Sequence, residues 1–408
     1  MKKILYLCLM LLTGVNMMAQ ININDGWTVV LDEEFIGTGR RWGADYKERR
    51  PSTIPADSVW KCKWQVNCSE LTEGVTKKGL YQAYQRSNTL FNSASLNDNK
   101  MRLVAQRVSN TPLICNGSYP TGYEIPQNTW HHCDTVPYLI YYYSGNIQSK
   151  DKYHYGYYEI ECAIPVHDGI HTSFWLFGGL KDTVNGIKYY EEIDIMEYSE
   201  GDSNGYDPHV YSSGIWYRRQ GINDSLPLEH LGYDRFHIAQ TEPDIRQMHA
   251  YGCEWMPDHI TFYRDGKVIH EFHDIDHLPC YPKYIKAGYA IDNYALASNW
   301  NGPDTLTINN IKVFKLNTDC NTDVQVQTIQ QFNQINSMKR SVTIGNSNGI
   351  TLPSTTNKTV RASDHIVING PFEIAAGAQL TLMVHECPDC TNKSDNIIQP
   401  TTKNNKKK

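Results

Sequence analysis

After its first nineteen residues, the 408-residue chain contains no apolar run long enough to cross a bilayer, a task that takes about 20 consecutive residues. It also has no excess of positive charge. Its 38 Lys and Arg against 44 Asp and Glu leave a formal charge of −6, so there is no electrostatic case for nucleic acid, whose backbone asks for a basic footprint. No long segment holds a helical period, which argues against a helical fold. Nor does any His and Cys set have the spacing of a metal site. His270, His273, Asp274, Asp276 and His277 follow a hairpin signal and suit no single strand face, and His131-His132-Cys133 is no better supported. Both read as polar surface, and no site metal is expected.

What is present begins with an address. Lys2 and Lys3 precede the apolar run Ile4–Leu12, and Ala19 offers a small residue for cleavage before Gln20. This is the layout of a secretory signal peptide over 1–19, and it predicts export across the inner membrane to the periplasm, the cell surface or the medium. Of the eleven cysteines, Cys8 falls within that peptide, and an even number remains, as expected of disulfides in an exported protein. Cys62 with Cys68 and Cys115 with Cys133 are each spaced to close a short loop. Cys387-Pro388-Asp389-Cys390 reads as a local tail disulfide or as free thiols.

Strand signals dominate. Ser87–Arg107, Tyr153–Pro165, Ser173–Phe177, His259–Phe272 and Leu306–Leu316 are rich in β-branched and aromatic residues and are punctuated by Gly, Asn and Asp. Asp265-Gly266 between apolar runs is a hairpin signal. The pattern predicts an all-β sandwich or barrel, with Ser109–Tyr138 and Lys181–Lys188 as loops grafted on it. The body is expected over 20–316 and to fold without the residues after 316. Its Gln, Asn, Thr and Asp content marks 317–340 as a linker. Short strand signals mark 341–390 as a small β appendage, and 391–408 is expected to be disordered. The 27 Tyr and 9 Trp suit a wet binding surface such as one for sugars, although β-rich folds use many aromatics in any case.

One run carries chemistry: Glu192-Ile193-Asp194-Ile195-Met196-Glu197. On a strand Glu192 and Asp194 share a face, while Glu197, at an odd offset, points away. A β-bulge within Ile195-Met196 restores the phase and gathers three acids on one surface. Crowded carboxylates raise one another's pKa, so one member stays protonated near neutral pH. A retaining glycosidase needs that division, since one carboxylate attacks the anomeric carbon while another protonates the leaving oxygen. A merely solvated acidic strand, helped by Glu191 and Glu200, is the plainer alternative.

That run resembles the bulged active-site strand of glycoside hydrolase family 16, the family of laminarinases, lichenases, agarases and carrageenases. The resemblance extends, in order, over about Trp27–Leu316: Leu31-Asp32-Glu33-Glu34-Phe35, Tyr143–Lys150, Tyr155–Glu159, Phe174-Trp175-Leu176, and His249–Asp258 with Tyr263–Gly266. It implies a jelly-roll β-sandwich with an open cleft. It makes Glu192 the nucleophile, Glu197 the general acid and then base, and Asp194 the hydrogen-bonding residue between them. It also implies Trp175 as a sugar platform and Glu159 as a polar cleft residue. The chain departs from the family where Glu161 stands for an Arg and where Ile215 and Trp216 fall near an expected His, with His209 close by; Trp216 and His209 are therefore candidate sugar contacts. These departures suggest a cleft short of positive charge and a neutral polymer, against which Lys150, Lys152, Arg218 and Arg219 stand as candidate rim cations. No cofactor is required. Structural calcium has little support, because Asn309 replaces the Asp of the family's final strand. The expected function is a monomeric endo-glycosidase acting on a β-linked polysaccharide, with β-1,3- or mixed-linked glucan as the default. The in-class alternative is a galactan of agar, carrageenan or mucin type, and the out-of-class alternative is a non-catalytic sugar-binding jelly roll.

Overall fold

The computed structural model describes residues 25–35, 60–62, 82–84, 89–91, 100–107, 113–115, 138–140, 142–144, 146–167, 169–178, 183–184, 187–199, 210–221, 229–237, 244–273, 278–291 and 304–388. The signal-peptide and tail readings fall outside these residues, as do Cys68, Cys133 and Cys390. No helix among the described residues is long and apolar enough to cross a membrane.

The elements used below are, in chain order, β1 (Trp27–Glu33), β2 (Met101–Arg107), β3 (Asn146–Tyr153), β4 (Gly156–Ala163), β5 (Ile170–Phe177), β6 (Ile187–Ser199), β7 (Ser212–Gly221), β8 (Glu229–His237), β9 (His249–Trp255), β10 (Ile260–Arg264), β11 (Lys267–Phe272), β12 (Lys283–Ile291), β13 (Asp304–Leu316), β14 (Thr318–Val326), α1 (Ile329–Asn333), β15 (Met338–Ile344), β16 (Ile350–Leu352), β17 (Asn357–Ile368), β18 (Phe372–Ile374) and β19 (Gln379–Val384). The body is a β-sandwich of jelly-roll type. One sheet of ten strands includes the order β11-β10-β9-β4-β13-β2, with β1 on β13; a second, of eight, includes β8-β7-β6-β5-β12-β3.

Alternation of side chains builds the layers. In β4, Tyr158, Ile160 and Cys162 point inward; in β5, Ile170, Phe174 and Leu176 do so; from β9 and β12 come Tyr251, Cys253, Trp255, Ile285, Ala287 and Tyr289. These residues form one continuous core between the sheets, each large side chain contributing roughly 1.5–3 kcal/mol by leaving water. The anticipated hairpin is present: Arg264 pairs with Lys267, and the two turn residues Asp265 and Gly266 both have positive φ, at 50° and 73°. That is the two-residue turn whose twist matches its strands.

The stretch expected to be a linker carries β14 and α1 and leads directly into β15. Its polar composition conceals a sparse apolar set, of which Val326, Phe332 and Ile335 are buried. Thr328 and Gln331 form a capping box that starts the helix. From here on the strands pair in parallel. β16 pairs with β18, and the first half of β17 pairs with β19, each residue meeting one 22 positions later, as Ile350 meets Phe372 and Asn357 meets Gln379. This is a short parallel β-solenoid, in which each turn stacks on the one before it. Cys320 and Cys387 form a disulfide across it, so Cys387 is not in a local tail pair.

The solenoid is joined to the sandwich through a second, smaller core. Trp27, Tyr157, Met256, Tyr263, Phe314 and Leu316 of the body pack with Met338. Asp25 accepts hydrogen bonds from Lys358 Nζ (2.8 Å) and Thr359 N (2.7 Å), and Glu386 N donates to Asp258 at 2.9 Å. Tyr157 and Phe314 lie on the outward face of the ten-stranded sheet, so the solenoid packs against that face.

Candidate active site

The acidic run lies on β6, and its register departs from a regular ladder where three acids on one face require it. Against β5, Phe174 pairs with Met196 and the next residue, Trp175, with Asp194, so Ile195 is supernumerary. Against β7, Asp194 pairs with Gly214 and Glu197 with Ser212, so Ile195 and Met196 together oppose Ser213. This bulge brings Glu197 back to the side of Glu192 and Asp194. Both Ile195 and Met196 are buried in the core, where alternation alone would have placed one. Ser213 Oγ donates to Ile195 O at 2.7 Å, which gives the displaced carbonyl a partner.

Directly opposed residues of an antiparallel pair share a face, so the surface around the acids can be followed strand by strand. β5 contributes His171, Ser173, Trp175 and Phe177, the half-buried set that alternates with its core residues. Trp175 is opposite Asp194, and Phe177 is opposite Glu192. On the other side of β6, Trp216 is opposite Glu192 and is 38% exposed. Two tryptophans therefore flank the acidic strand. β12 adds Tyr284 and Lys286. Lys286 is only 3% exposed and holds its ammonium 3.7 Å from the centre of the Trp175 ring, a cation–π contact that holds the ring in place. Lys152 lies over the Tyr284 ring at 5.2 Å. His171 Nε2 is 2.9 Å from Glu197 Oε1.

Glu191, which the plainer alternative counts among the solvated acids, points to the other side of β6 and is buried. Its Oε2 accepts from Lys283 Nζ (2.6 Å), Cys280 N (3.0 Å) and Tyr281 N (3.1 Å). This ion pair, with the two N–H bonds, fastens the start of β12 and the residues before it to β6.

The remaining candidates divide. His209 lies outside the described residues. Glu159 does not reach this surface: it sits on β4 in the other sheet, on the outward face, and accepts from Tyr157 Oη at 2.8 Å. Burial raises its pKa against the opposing pull of Tyr157 and Lys312. The cause of the misplacement is parity, because the core-facing Tyr158 and Ile160 force Glu159 and Glu161 outward. Glu161 accepts from the side-chain amides of Asn309 (2.6 Å) and Asn310 (2.5 Å). Asn309 and Asn310 thus each spend an amide N–H on Glu161. With Glu159 and Glu161 removed from the cleft and Lys286 and Lys152 placed on its face, the surface is not short of positive charge. The sequence motifs do not mark His171, Phe177 or Lys286. Extending the period of two in both directions from Trp175 reaches the first two, whereas Lys286 has only its place opposite Trp175 to mark it.

An antiparallel sandwich with this bulged acidic strand in its second sheet defines a class of protein. The chain belongs to the glycosyl hydrolases family 16, whose model matches residues 83–313. Among curated proteins it is 33% identical over 129 residues to a β-glucanase of Acetivibrio thermocellus, covering 32% of each chain. It is 25% identical over 192 residues to the κ-carrageenase of Pseudoalteromonas carrageenovora, covering 44% of this chain and 43% of that one. The matched region thus spans about a third of the β-glucanase's length. Among solved structures, porphyranase B of Zobellia galactanivorans superposes with a TM-score of 0.50 at 16% identity, covering 74% of this chain and 97% of that one; this likeness concerns the fold.

Proposed function

We propose that the chain is a retaining endo-glycosidase that hydrolyses a β-linked polysaccharide laid across the second sheet. The observation that carries this reading is the bulge on β6, which gathers Glu192, Asp194 and Glu197 on one face between Trp175 and Trp216. Glu192 attacks the anomeric carbon while Glu197 gives its proton to the departing glycosidic oxygen. Water then attacks the glycosyl-enzyme, Glu197 takes the water's proton, and Glu192 is released. Asp194, buried between them, keeps the local charge that holds one proton in the group. The two tryptophans offer stacking faces on either side of the cut, so the substrate runs across the strands and is cleaved internally.

A neutral β-glucan is the first reading of the substrate, in keeping with the likeness to a β-glucanase. An acidic galactan is the second. Lys286 and Lys152 on the face of the acidic run favour it, and the likeness to a κ-carrageenase points the same way. The signal-peptide reading supports export. The test is a panel of laminarin, lichenan, agarose, carrageenan, porphyran and mucin glycans, with product sizes measured by mass spectrometry. Internal cuts with retained anomeric configuration, seen by proton NMR of the first product, are expected. Inversion would remove Glu192 as nucleophile, and binding without hydrolysis of any polymer would favour a sugar-binding module.

A further inference from the structure

We infer that His171 and Glu197 act as one proton-holding dyad, with His171 as the positioning residue that keeps Glu197 supplied with its catalytic proton above acidic pH. This rests on the reading of Glu197 as acid and base. The observation is the contact itself: His171 Nε2 lies 2.9 Å from Glu197 Oε1, with side-chain exposures of 32% and 13%. His171 is not the residue opposite Glu197; that is Ser173, and His171 is opposite Ser199. The imidazole therefore reaches diagonally along the cleft face, within range of a long side chain.

Among the described residues, the charged and titratable groups presented to this face are Glu192 and Asp194 on β6, Tyr284 and Lys286 on β12 and Lys152 on β3. The His167–Asp304 pair, at 2.8 Å, lies where the chain enters β5. The acids of β6 favour a proton on the pair, and Lys286 opposes it. Lys286 is already held against Trp175 and Phe177, so His171 is the imidazole that bonds the acid.

Two groups joined this closely titrate as a pair. The pair's one-proton form has the proton on Glu197 or on His171, exchanging along a single hydrogen bond. During glycosylation the C–O bond to the leaving sugar breaks, and Glu197 delivers that proton to the leaving oxygen. During deglycosylation water adds to the anomeric carbon, the bond to Glu192 breaks, and the water's proton returns to the pair. No proton is gained or lost over the cycle. The neutral imidazole accepts the hydrogen bond of the protonated carboxyl and favours that form, so the carboxyl of the pair gives up its proton at a higher pH than a lone one.

The test compares pH–rate profiles of kcat/KM for the wild type and His171→Gln, which keeps a hydrogen-bonding side chain but does not titrate. The alkaline limb should move to lower pH, with a loss of about tenfold well above neutrality for each unit moved. An aryl glycoside with a good leaving group should show little of this loss in its glycosylation step. A readout that needs no turnover is NMR titration of the His171 ring: its midpoint should fall in Glu197→Gln. An unmoved alkaline limb in a folded His171→Gln, checked also with His171→Asn, or an unmoved midpoint in Glu197→Gln, overturns the dyad. A wild type that cuts no polysaccharide overturns the proposed function instead, and leaves the NMR test of the dyad standing.

Discussion

Replacing Lys283 with methionine should destabilise the sandwich more than any single surface change, and the structure indicates by how much. Lys283 is 1% exposed and Glu191 3% exposed. Their 2.6 Å contact is supported by the N–H groups of Cys280 and Tyr281, while the ammonium also donates to Tyr281 O and lies 5.1 Å from the centre of the Trp255 ring. Methionine fills most of the same volume but removes the charge, so Glu191 is left buried with only the two amide donors. Breaking a buried pair in this way costs about 3–5 kcal/mol. At roughly 2–4 °C per kcal/mol for domains of 150–250 residues, the melting point should fall by roughly 6–20 °C. The double variant Glu191→Met/Lys283→Met removes both charges and should regain most of the loss, because the pair itself offsets little more than its own desolvation. Differential scanning calorimetry of the wild type, both single variants and the double variant closes the cycle. A Lys283→Met protein that melts with the wild type, or a double variant worse than both singles, would refute the reasoning.

Three further outcomes are expected. Glu192→Gln should abolish hydrolysis of polysaccharide and aryl glycoside alike, whereas Glu197→Gln should lose the polysaccharide and keep turnover of the activated aryl glycoside, as steady-state rates on the two substrates will show. Cys320→Ser should cost the solenoid about 4 kcal/mol, since the disulfide closes a separation of 67 residues; a chemical-denaturation midpoint equal to wild type would contradict this. The junction pair Asp258–His259 should stabilise within a pH window. Burial opposes ionisation of Asp258, but its bond to His259, the charges of His259 and His385 and the Glu386 N–H hold its pKa below the ordinary value. Its contribution is therefore present above about pH 3.9 and is lost as pH falls through the lower folded value. Burial likewise opposes the charged His259 ring, yet Asp258, Glu254 and Glu271 raise its pKa. Its contribution is complete below about pH 6.5 and is lost as pH rises through the higher folded value. The melting-point difference between wild type and Asp258→Asn should be greatest between those limits, and a difference flat across pH would remove the pair from the account.

The acidic strand is legible because its chemistry and its packing leave the same mark: an odd offset between two glutamates with two apolar residues between them implies a bulge. The Asp265-Gly266 turn is legible for a similar reason, as few other pairs tolerate two positive φ angles in succession. Glu159 is assigned to the cleft by motif likeness, which carries a residue type but not the parity of its strand. Glu191 reads as a solvated acid because its partner Lys283 is 92 residues away, and no local pattern announces a pairing of that separation. Composition misleads over 317–340: in a solenoid each turn needs only a few inward side chains, so the remainder can be as polar as a linker.

The junction between sandwich and solenoid must wait on distant parts of the chain. β1 completes the ten-stranded sheet by pairing with β13, Trp27 opposite Leu316, and Asp25, just ahead of that strand, is held by Lys358 and Thr359 from the solenoid. Contacts 333 and 334 residues apart form late and slowly, because the intervening loop must be closed before they return any stability. At roughly 5–20 residues per second of synthesis, the N-terminal strand spends between roughly 15 s and a minute with its final neighbours not yet made. The clasp between β1 and the solenoid is therefore a timing device as well as a contact: it closes only once β17 has been made.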